Sequence, residues 1–555
     1  MISQNFIELF QNSFRDNWEL PALTDYFKKE TFTYGDLAKE IAKLHLLFKD
    51  NDIKPGDKIA VIGRNNPRWC VSFLATITYG AVVVPILQEF NPNDVNYIIH
   101  HSGAKLVFAG DRFWDHINTD NTKLLAAFSI TDLQCVWAIE RSKRCKWERS
   151  NAEQLFKTQY PNGFTVDDVK YNHVDNSQML VINYTSGTTG YSKGVMLSAN
   201  NLCGNMLFGH NIKVHFKGSR ALSFLPLAHA FGCAFDFLYP ITVGSHVTLL
   251  GKIPSPKVLI DALKDVKPHM IFLVPLIIEK IYKKQLLPML NKKITKLSMK
   301  LPIIETTVNA IVRRKLIESF GGELYEIIIG GAPLNHEVEQ FLMKIKFPFT
   351  IGYGMTECAP LISYTDHKEF KSTSCGKIIS EFMEVRIDSN DPNTVAGEIQ
   401  VRGEHVMMGY YRNPKATADV FTEDGWLKTG DIGTVDPDGT IYIRGRSKTM
   451  LLGASGQNIY PEEIESKLNN LPYVLESLVI QNNGKLVALV YPDNDQIDVD
   501  SVTNEEDFLK NAMAENLTLI NTLVAPFERI SEIKIFYEEF EKTPKKSIKR
   551  YLYKV

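Results

Sequence analysis

Met179-Leu180-Val181-Ile182-Asn183 runs straight into Tyr184-Thr185-Ser186-Gly187-Thr188-Thr189-Gly190-Tyr191-Ser192-Lys193-Gly194-Val195. The first five residues read as a buried strand. The next twelve hold five Ser/Thr hydroxyls, three glycines and a lysine. A flexible loop so rich in backbone N–H and O–H donors, with a cation at its exit, suits a polyphosphate. It is not a Walker A loop, because Ser192 precedes Lys193 and Gly194 follows it. On composition alone, an ordinary connecting loop is the other reading.

Outward from this loop the chain alternates strands and helices. Thr33 caps a helix over Tyr34-Leu47, with Asp36 in its first turn. Lys58-Ile62, Ala81-Ile86 and Leu106-Ala109 read as buried strands, and Pro67-Tyr79 as a helix between the first two. Apolar strands spaced by helices predict an α/β fold with parallel sheets. Residues 253–320 read as mostly helical and basic, with Lys280, Lys283, Lys284, Lys292, Lys293 and Lys296. That is either a solvated helical face or a docking surface for an anionic partner. From Glu398 to Arg444 the texture changes to short strands and Gly/Asp turns, such as Pro437-Asp438-Gly439, which predicts a β-rich subdomain. A smaller unit ending in a basic tail follows Arg444-Gly445-Arg446.

The 555 residues suffice for several cores. With 44% hydrophobic and 23% charged residues, wholesale disorder and fibrous architectures are excluded. Lys+Arg number 62 against 64 Asp+Glu, which leaves no electrostatic footprint for general nucleic-acid binding. Seven cysteines without CxxC spacing read as free thiols of a reducing, cytoplasmic compartment. No run approaches the ~18 apolar residues of a membrane span, and the N-terminus lacks a basic signal-peptide region. Phe6, Ile7, Leu9, Phe10 and Phe14 form one apolar helix face that docks on the core, with peripheral membrane contact as the alternative.

The loop resembles the signature of the acyl-adenylate-forming superfamily of acyl-CoA synthetases, luciferases and nonribosomal adenylation domains. Leu225-Pro226-Leu227-Ala228-His229, Gly330-Gly331-Ala332-Pro333, Gly352-Tyr353-Gly354-Met355-Thr356-Glu357, Trp426-Leu427-Lys428-Thr429-Gly430-Asp431 and Arg444-Gly445-Arg446-Ser447-Lys448 resemble its further motifs, in the family's order. Asn458-Ile459-Tyr460-Pro461-Glu462-Glu463-Ile464-Glu465 is similar to the long-chain fatty acyl-CoA synthetase branch. The resemblance implies two α/β subdomains plus a small β-barrel over residues 1–445, a hinge at 446–449, and a mobile α+β lid over 450–555. It implies activation of a fatty carboxylate by ATP through an acyl-adenylate, then transfer to CoA. Transfer to a separate acyl-carrier protein and a non-catalytic sensor are the alternatives. No carrier-protein serine motif follows Arg550.

The residue roles come from the same resemblance. Thr185, Ser186, Gly187, Thr188, Thr189, Gly190 and Lys193 would cradle the phosphates. Gly331, Ala332, Pro333, Gly352, Tyr353 and Gly354 would hold the adenine, with Tyr353 stacked on it. Thr356 would donate to the α-phosphate and Glu357 would ligate Mg²⁺. Asp431 and Arg446 would take the ribose, Lys448 would be the hinge, and His229 would gate the acyl pocket. Gly354, where acetate-specific relatives carry Trp, implies a pocket open to long chains, and Ala230 in place of an amine-binding Asp agrees. Two positions depart from the pattern. Ser192 replaces the usual loop proline. The adenylation lysine should lie three residues before an Arg, and counting back from Arg550 lands on Ser547. Lys546 is favoured for that role and Lys549 is the alternative.

Overall fold

The computed structural model describes residues 2–120, 122–185, 192–251, 254–286, 302–452, 457–482, 484–497, 504–543 and 547–553. Two large sheets dominate. The first has eight strands in the order Gly409–Tyr410, Lys193–Ser198, Met179–Thr185, Val82–Ile86, Lys58–Ile62, Leu106–Ala109, Ala126–Ser129, Cys135–Ala138. Its five middle strands are parallel, and antiparallel strands complete both edges. The second has seven, in the order Phe349–Ile351, Glu326–Ile329, Met270–Leu273, Arg220–Ser223, His246–Leu249, Pro21–Asp25, Glu30–Thr33. All but the last of these are parallel. Strands buried on both faces need continuous apolar runs, and Val82–Ile86 and Met270–Leu273 are buried throughout.

The expected capping box forms: Thr33 Oγ1 accepts from Asp36 N at 3.1 Å and Asp36 Oδ2 accepts from Thr33 N. The helix it starts runs Tyr34–Asp50. Helix Phe6–Asp16 buries Phe6, Ile7, Phe10 and Phe14 in the main core, so this face offers nothing to a membrane. Among the described residues no helix is long and apolar enough to cross a membrane. The described part of the basic segment is mostly helical, with the central sheet strand Met270–Leu273 inside it, and Lys292, Lys293 and Lys296 lie outside the described residues. Four apolar residues are too few for periodicity to separate strand from buried helix.

The β-rich subdomain is a three-stranded sheet, Tyr353–Gly354, Leu361–Tyr364 and Lys377–Ile378, and a four-stranded one, Met383–Asp388, Gly397–Gly403, Leu427–Val435 and Ile441–Arg446. A bridge between Lys377 and Thr440 joins them. The strands do not close into the expected barrel. Beyond residue 450, strands Val474–Asn482, Lys485–Pro492 and Ile530–Ile535 pack with helices Pro461–Leu468 and Glu505–Leu523 around Ile464, Leu468, Val479 and Ile520. This apolar cluster is separate from the main core.

Candidate functional site

In the second sheet Leu273, Ile329 and Ile351 end side by side. The chain beyond each continues the register: Gly330 N donates to Leu273 O at 3.0 Å and Gly352 N to Ile329 O at 2.9 Å. Gly330-Pro333 and Gly352-Glu357 are thereby brought together at the carboxyl edge of a parallel sheet, where open α/β folds bind ligands. Gly331 has φ +86°, a conformation that L side chains rarely adopt.

Beyond Gly352 the chain makes a hairpin, Tyr353–Gly354 against Leu361–Tyr364, with a 3₁₀ turn over Thr356–Cys358. Glu357 sits on this turn and its fastenings come from far along the chain. Buried Asn205 accepts from Leu361 N at 3.0 Å and donates to Cys358 O at 3.4 Å. His405 Nδ1 lies 2.7 Å from Leu361 O, and burial pushes the His405 imidazole down to about 4. Met407 N donates to Glu357 O at 2.8 Å. Tyr410 Oη donates to Glu357 Oε1 at 2.8 Å, and Lys193 Nζ stands 5.0 Å from the centre of the Tyr410 ring. Among the described residues no Lys, Arg or His comes within ion-pair distance of Glu357. A half-buried carboxylate with one hydroxyl donor and no cationic partner retains lone pairs for a hard cation, so the donor set fits Mg²⁺.

Gly354 has a different explanation from the pocket-depth one. A Cβ there would lie 2.3 Å from Pro360 O and 3.2 Å from Leu361 Cα. The close approach of the hairpin backbone is a second reason for glycine at this position.

Tyr353, Asp431 and Arg446 form a chain of contacts. Tyr353 Oη donates to Asp431 Oδ2 at 2.6 Å, and Arg446 Nη1 pairs with Asp431 Oδ1. Asp431 and Arg446 face each other across neighbouring strands. Burial, then the adjacent Asp431, holds the Tyr353 phenol well above its usual range, so it remains a donor. Each Asp431 oxygen has one partner and can accept another, as a ribose diol requires. Exposed Lys448 lies in the turn after strand Ile441–Arg446, where Ser447 N donates to Gly430 O at 2.9 Å.

The phosphate loop joins two antiparallel strands, with Thr185 opposite Lys193 and Ser192 buried at its exit. Ser186, Gly187, Thr188, Thr189 and Gly190 lie outside the described residues. Asn183 Nδ2 donates to Ala228 O at 3.1 Å, tying the approach strand to the His229 segment. His229 is half-buried, and its Nδ1 accepts Phe231 N–H at 3.3 Å. A π-helical turn, Gly232–Leu238, follows directly, a local geometry common at functional sites. Thr356 is buried in the Glu357 turn, and Ala332 and Pro333 flank the sheet edge.

In the tail, Lys546 lies outside the described residues. Lys549 Nζ pairs with Glu541 at 3.0 Å. Arg550 pairs with Glu465, the last residue of the Asn458-Glu465 motif. Ser547, three residues before Arg550, is exposed. Asn205, His405 and Tyr410 were not foreseen, since their partners lie roughly 40 to 155 residues away and no local pattern signals them.

The chain matches the family of AMP-binding enzymes over residues 10–411. It belongs to that family. The coarse chemistry of this AMP-binding enzyme is that of an acyl-adenylate-forming ligase. It is 26% identical over 519 residues to the long-chain-fatty-acid–CoA ligase ACSBG2 of Rattus norvegicus, covering 87% of this chain and 76% of that protein. It is 27% identical over 475 residues to the luciferin 4-monooxygenase of Photuris pensylvanica, covering 82% and 78%. ATP-bound MatB from Rhodopseudomonas palustris shares the fold, with a TM-score of 0.75 at 21% identity over 99% of this chain and 98% of that one.

Proposed function

We propose that the protein activates a long-chain fatty carboxylate with ATP through an acyl-adenylate and transfers the acyl group to CoA, releasing pyrophosphate and AMP. The observation that carries this reading is the meeting of Glu357, Tyr353, Asp431 and Arg446 at the carboxyl edge of the second sheet. The fatty substrate and CoA as acceptor rest on the similarity to ACSBG2 and on the Asn458-Glu465 motif. A luciferin monooxygenase among the relatives shows that the family name alone does not set the second step.

Each side chain has a part in this chemistry. Adenylation is chiefly positioning and charge neutralisation. Glu357 would hold Mg²⁺, which when bound would neutralise charge on the phosphate oxygens. Lys193 and the hydroxyls of Thr185, Ser186, Thr188 and Thr189, with the backbone of Gly187 and Gly190, bind the β- and γ-phosphates. Thr356 donates to the α-phosphate. Gly331, Ala332, Pro333 and Gly352 form the adenine edge with Tyr353, and Asp431 with Arg446 takes the ribose. His229 separates the acyl channel from the nucleotide.

Residues 446–449 form the hinge between a unit ending at 445 and a lid over 450–555, with Lys448 as its pivot. The separate apolar cluster beyond residue 450 supports that division. Rotation there removes the Lys546 ammonium after adenylation and admits CoA. We place the enzyme in the cytoplasm on its free thiols and the lack of a membrane-spanning helix among the described residues.

One observation favours a second reading, a protein that binds the nucleotide and acid without turnover. Arg550 is anchored on Glu465, and the residue at the lysine's expected distance from it is Ser547. A panel of carboxylates scored by CoA-dependent AMP formation separates the two. The enzyme reading requires turnover that peaks among long-chain acids. Absence of turnover with every acid and thiol would overturn it.

A further inference from the structure

Strand Gly409–Tyr410 belongs by sequence to the β-rich subdomain, yet it forms the edge of the first large sheet, pairing Gly409 with Met196 and Tyr410 with Val195. Tyr411 N donates to Gly194 O at 2.7 Å and Met408 N to Met196 O at 2.9 Å. On its other side Tyr410 N donates to Thr417 Oγ1 at 2.9 Å. The backbone of Tyr410 is thus fixed between the exit strand of the phosphate loop and helix Pro414–Val420. From there its side chain reaches two groups at once. The hydroxyl spends its hydrogen bond on Glu357 Oε1, and the ring face lies 5.0 Å from the Lys193 ammonium. A core tyrosine needs only a backbone carbonyl to satisfy its hydroxyl. This one is aimed at a carboxylate that has no cationic partner among the described residues.

We infer that Tyr410 is a positioning residue, resting on the functional reading above: it orients the Glu357 carboxylate toward the divalent cation and holds Lys193 toward the triphosphate, so that one side chain links metal binding to phosphate binding. The hydroxyl acts on the metal side only. The ring acts on the lysine side only, through a cation–π contact.

The two halves of the side chain can be removed separately. Mn²⁺ is the probe, its free concentration read by electron paramagnetic resonance in the presence of ATP without acid substrate. Metal-free ATP affinity is read by calorimetry. Tyr410→Phe should weaken Mn²⁺ binding about 10-fold or more, the scale of one hydrogen bond to a charged group. It should leave metal-free ATP affinity within about 2-fold, since the ring persists under Lys193. Tyr410→Leu should weaken both. In a Glu357→Gln background, Tyr410→Phe should cause no additional loss of Mn²⁺ affinity, because the two act as one unit. Normal Mn²⁺ binding by Tyr410→Phe, or an undiminished further loss in the Glu357→Gln background, would overturn the inference. If the unaltered protein bound neither ATP nor Mn²⁺ with ATP, the functional reading itself would fall, and this inference with it.

Discussion

The Glu357 hairpin and the C-terminal tail are the two ends of the proposed first step, and they are built in opposite ways. The hairpin is held by buried groups from distant segments: Asn205, His405 and the backbone of Met407. Little side-chain freedom remains to be lost when a ligand binds there. The tail is held within the C-terminal unit: Lys549 pairs with exposed Glu541, Arg550 with buried Glu465, and Phe540 packs with Leu478, Val487 and Leu489. These partners belong to the C-terminal unit, so the tail travels with that unit in the proposed rotation. A ligand pocket that must be rigid and a cation that must be withdrawn between two steps need this difference.

The largest expected effect lies at the rigid end. Glu357→Ala should cut acyl-adenylate formation by about 10²-fold or more, the scale of one lost transition-state stabiliser. The thermal midpoint should barely move, because Asn205 and His405 still brace the turn. A folded Glu357→Ala protein with near-normal adenylation would remove Glu357 from the chemistry.

In the tail, Lys546→Ala should impair adenylation from ATP at least about 10-fold and spare thioester formation from pre-made acyl-AMP. Ser547→Lys should raise the adenylation rate if the tail register is the one Arg550 sets. Selective loss in Lys549→Ala instead would move the role to Lys549. Equal loss in both half-reactions would point to general damage and erase the contrast between the two regions.

Gly354→Ala tests rigidity without touching a polar group. Its Cβ would press on Pro360 O, so the hairpin must shift. Adenylation should fall several-fold for short and long acids alike, since overpacking of this kind costs about 1–3 kcal/mol. A loss confined to long acids would mark Gly354 as a pocket determinant.

The smallest effect concerns pH. Burial pushes His405 and His45 down to about 4. Between that value and the ordinary one near 6.5 the unfolded chain binds protons that the folded chain does not, so stability is full above pH about 6.5 and falls as pH drops toward 4. The thermal midpoint should decline over this window, and His405→Gln should flatten part of that decline. An unchanged slope in His405→Gln would mean that the imidazole is not held neutral in the clasp.

Local pattern made much of this legible. Lys58–Ile62, Pro67–Tyr79 and Leu106–Ala109 have the boundaries their apolar runs and caps predict. Motif order pointed to the site segments, and the structure brings Glu357, Tyr353, Asp431 and Arg446 together. What stayed hidden has long-range causes. Met270–Leu273 is a strand because two parallel neighbours flank it, which four apolar residues cannot announce. The expected barrel is two sheets joined locally around Lys377 and Thr440, a pairing between distant segments that no local pattern announces. Gly354 has a backbone reason of its own, the approach of Pro360 O, which its motif does not announce.

The most direct test of the account is ATP–pyrophosphate exchange, measured with palmitate and Mg²⁺ on the unaltered protein and on Glu357→Ala. The account predicts exchange that needs both palmitate and Mg²⁺ and that falls about 10²-fold or more in Glu357→Ala. Exchange absent from the unaltered protein with palmitate and with every other carboxylate tried, or equal in the two proteins, would contradict it.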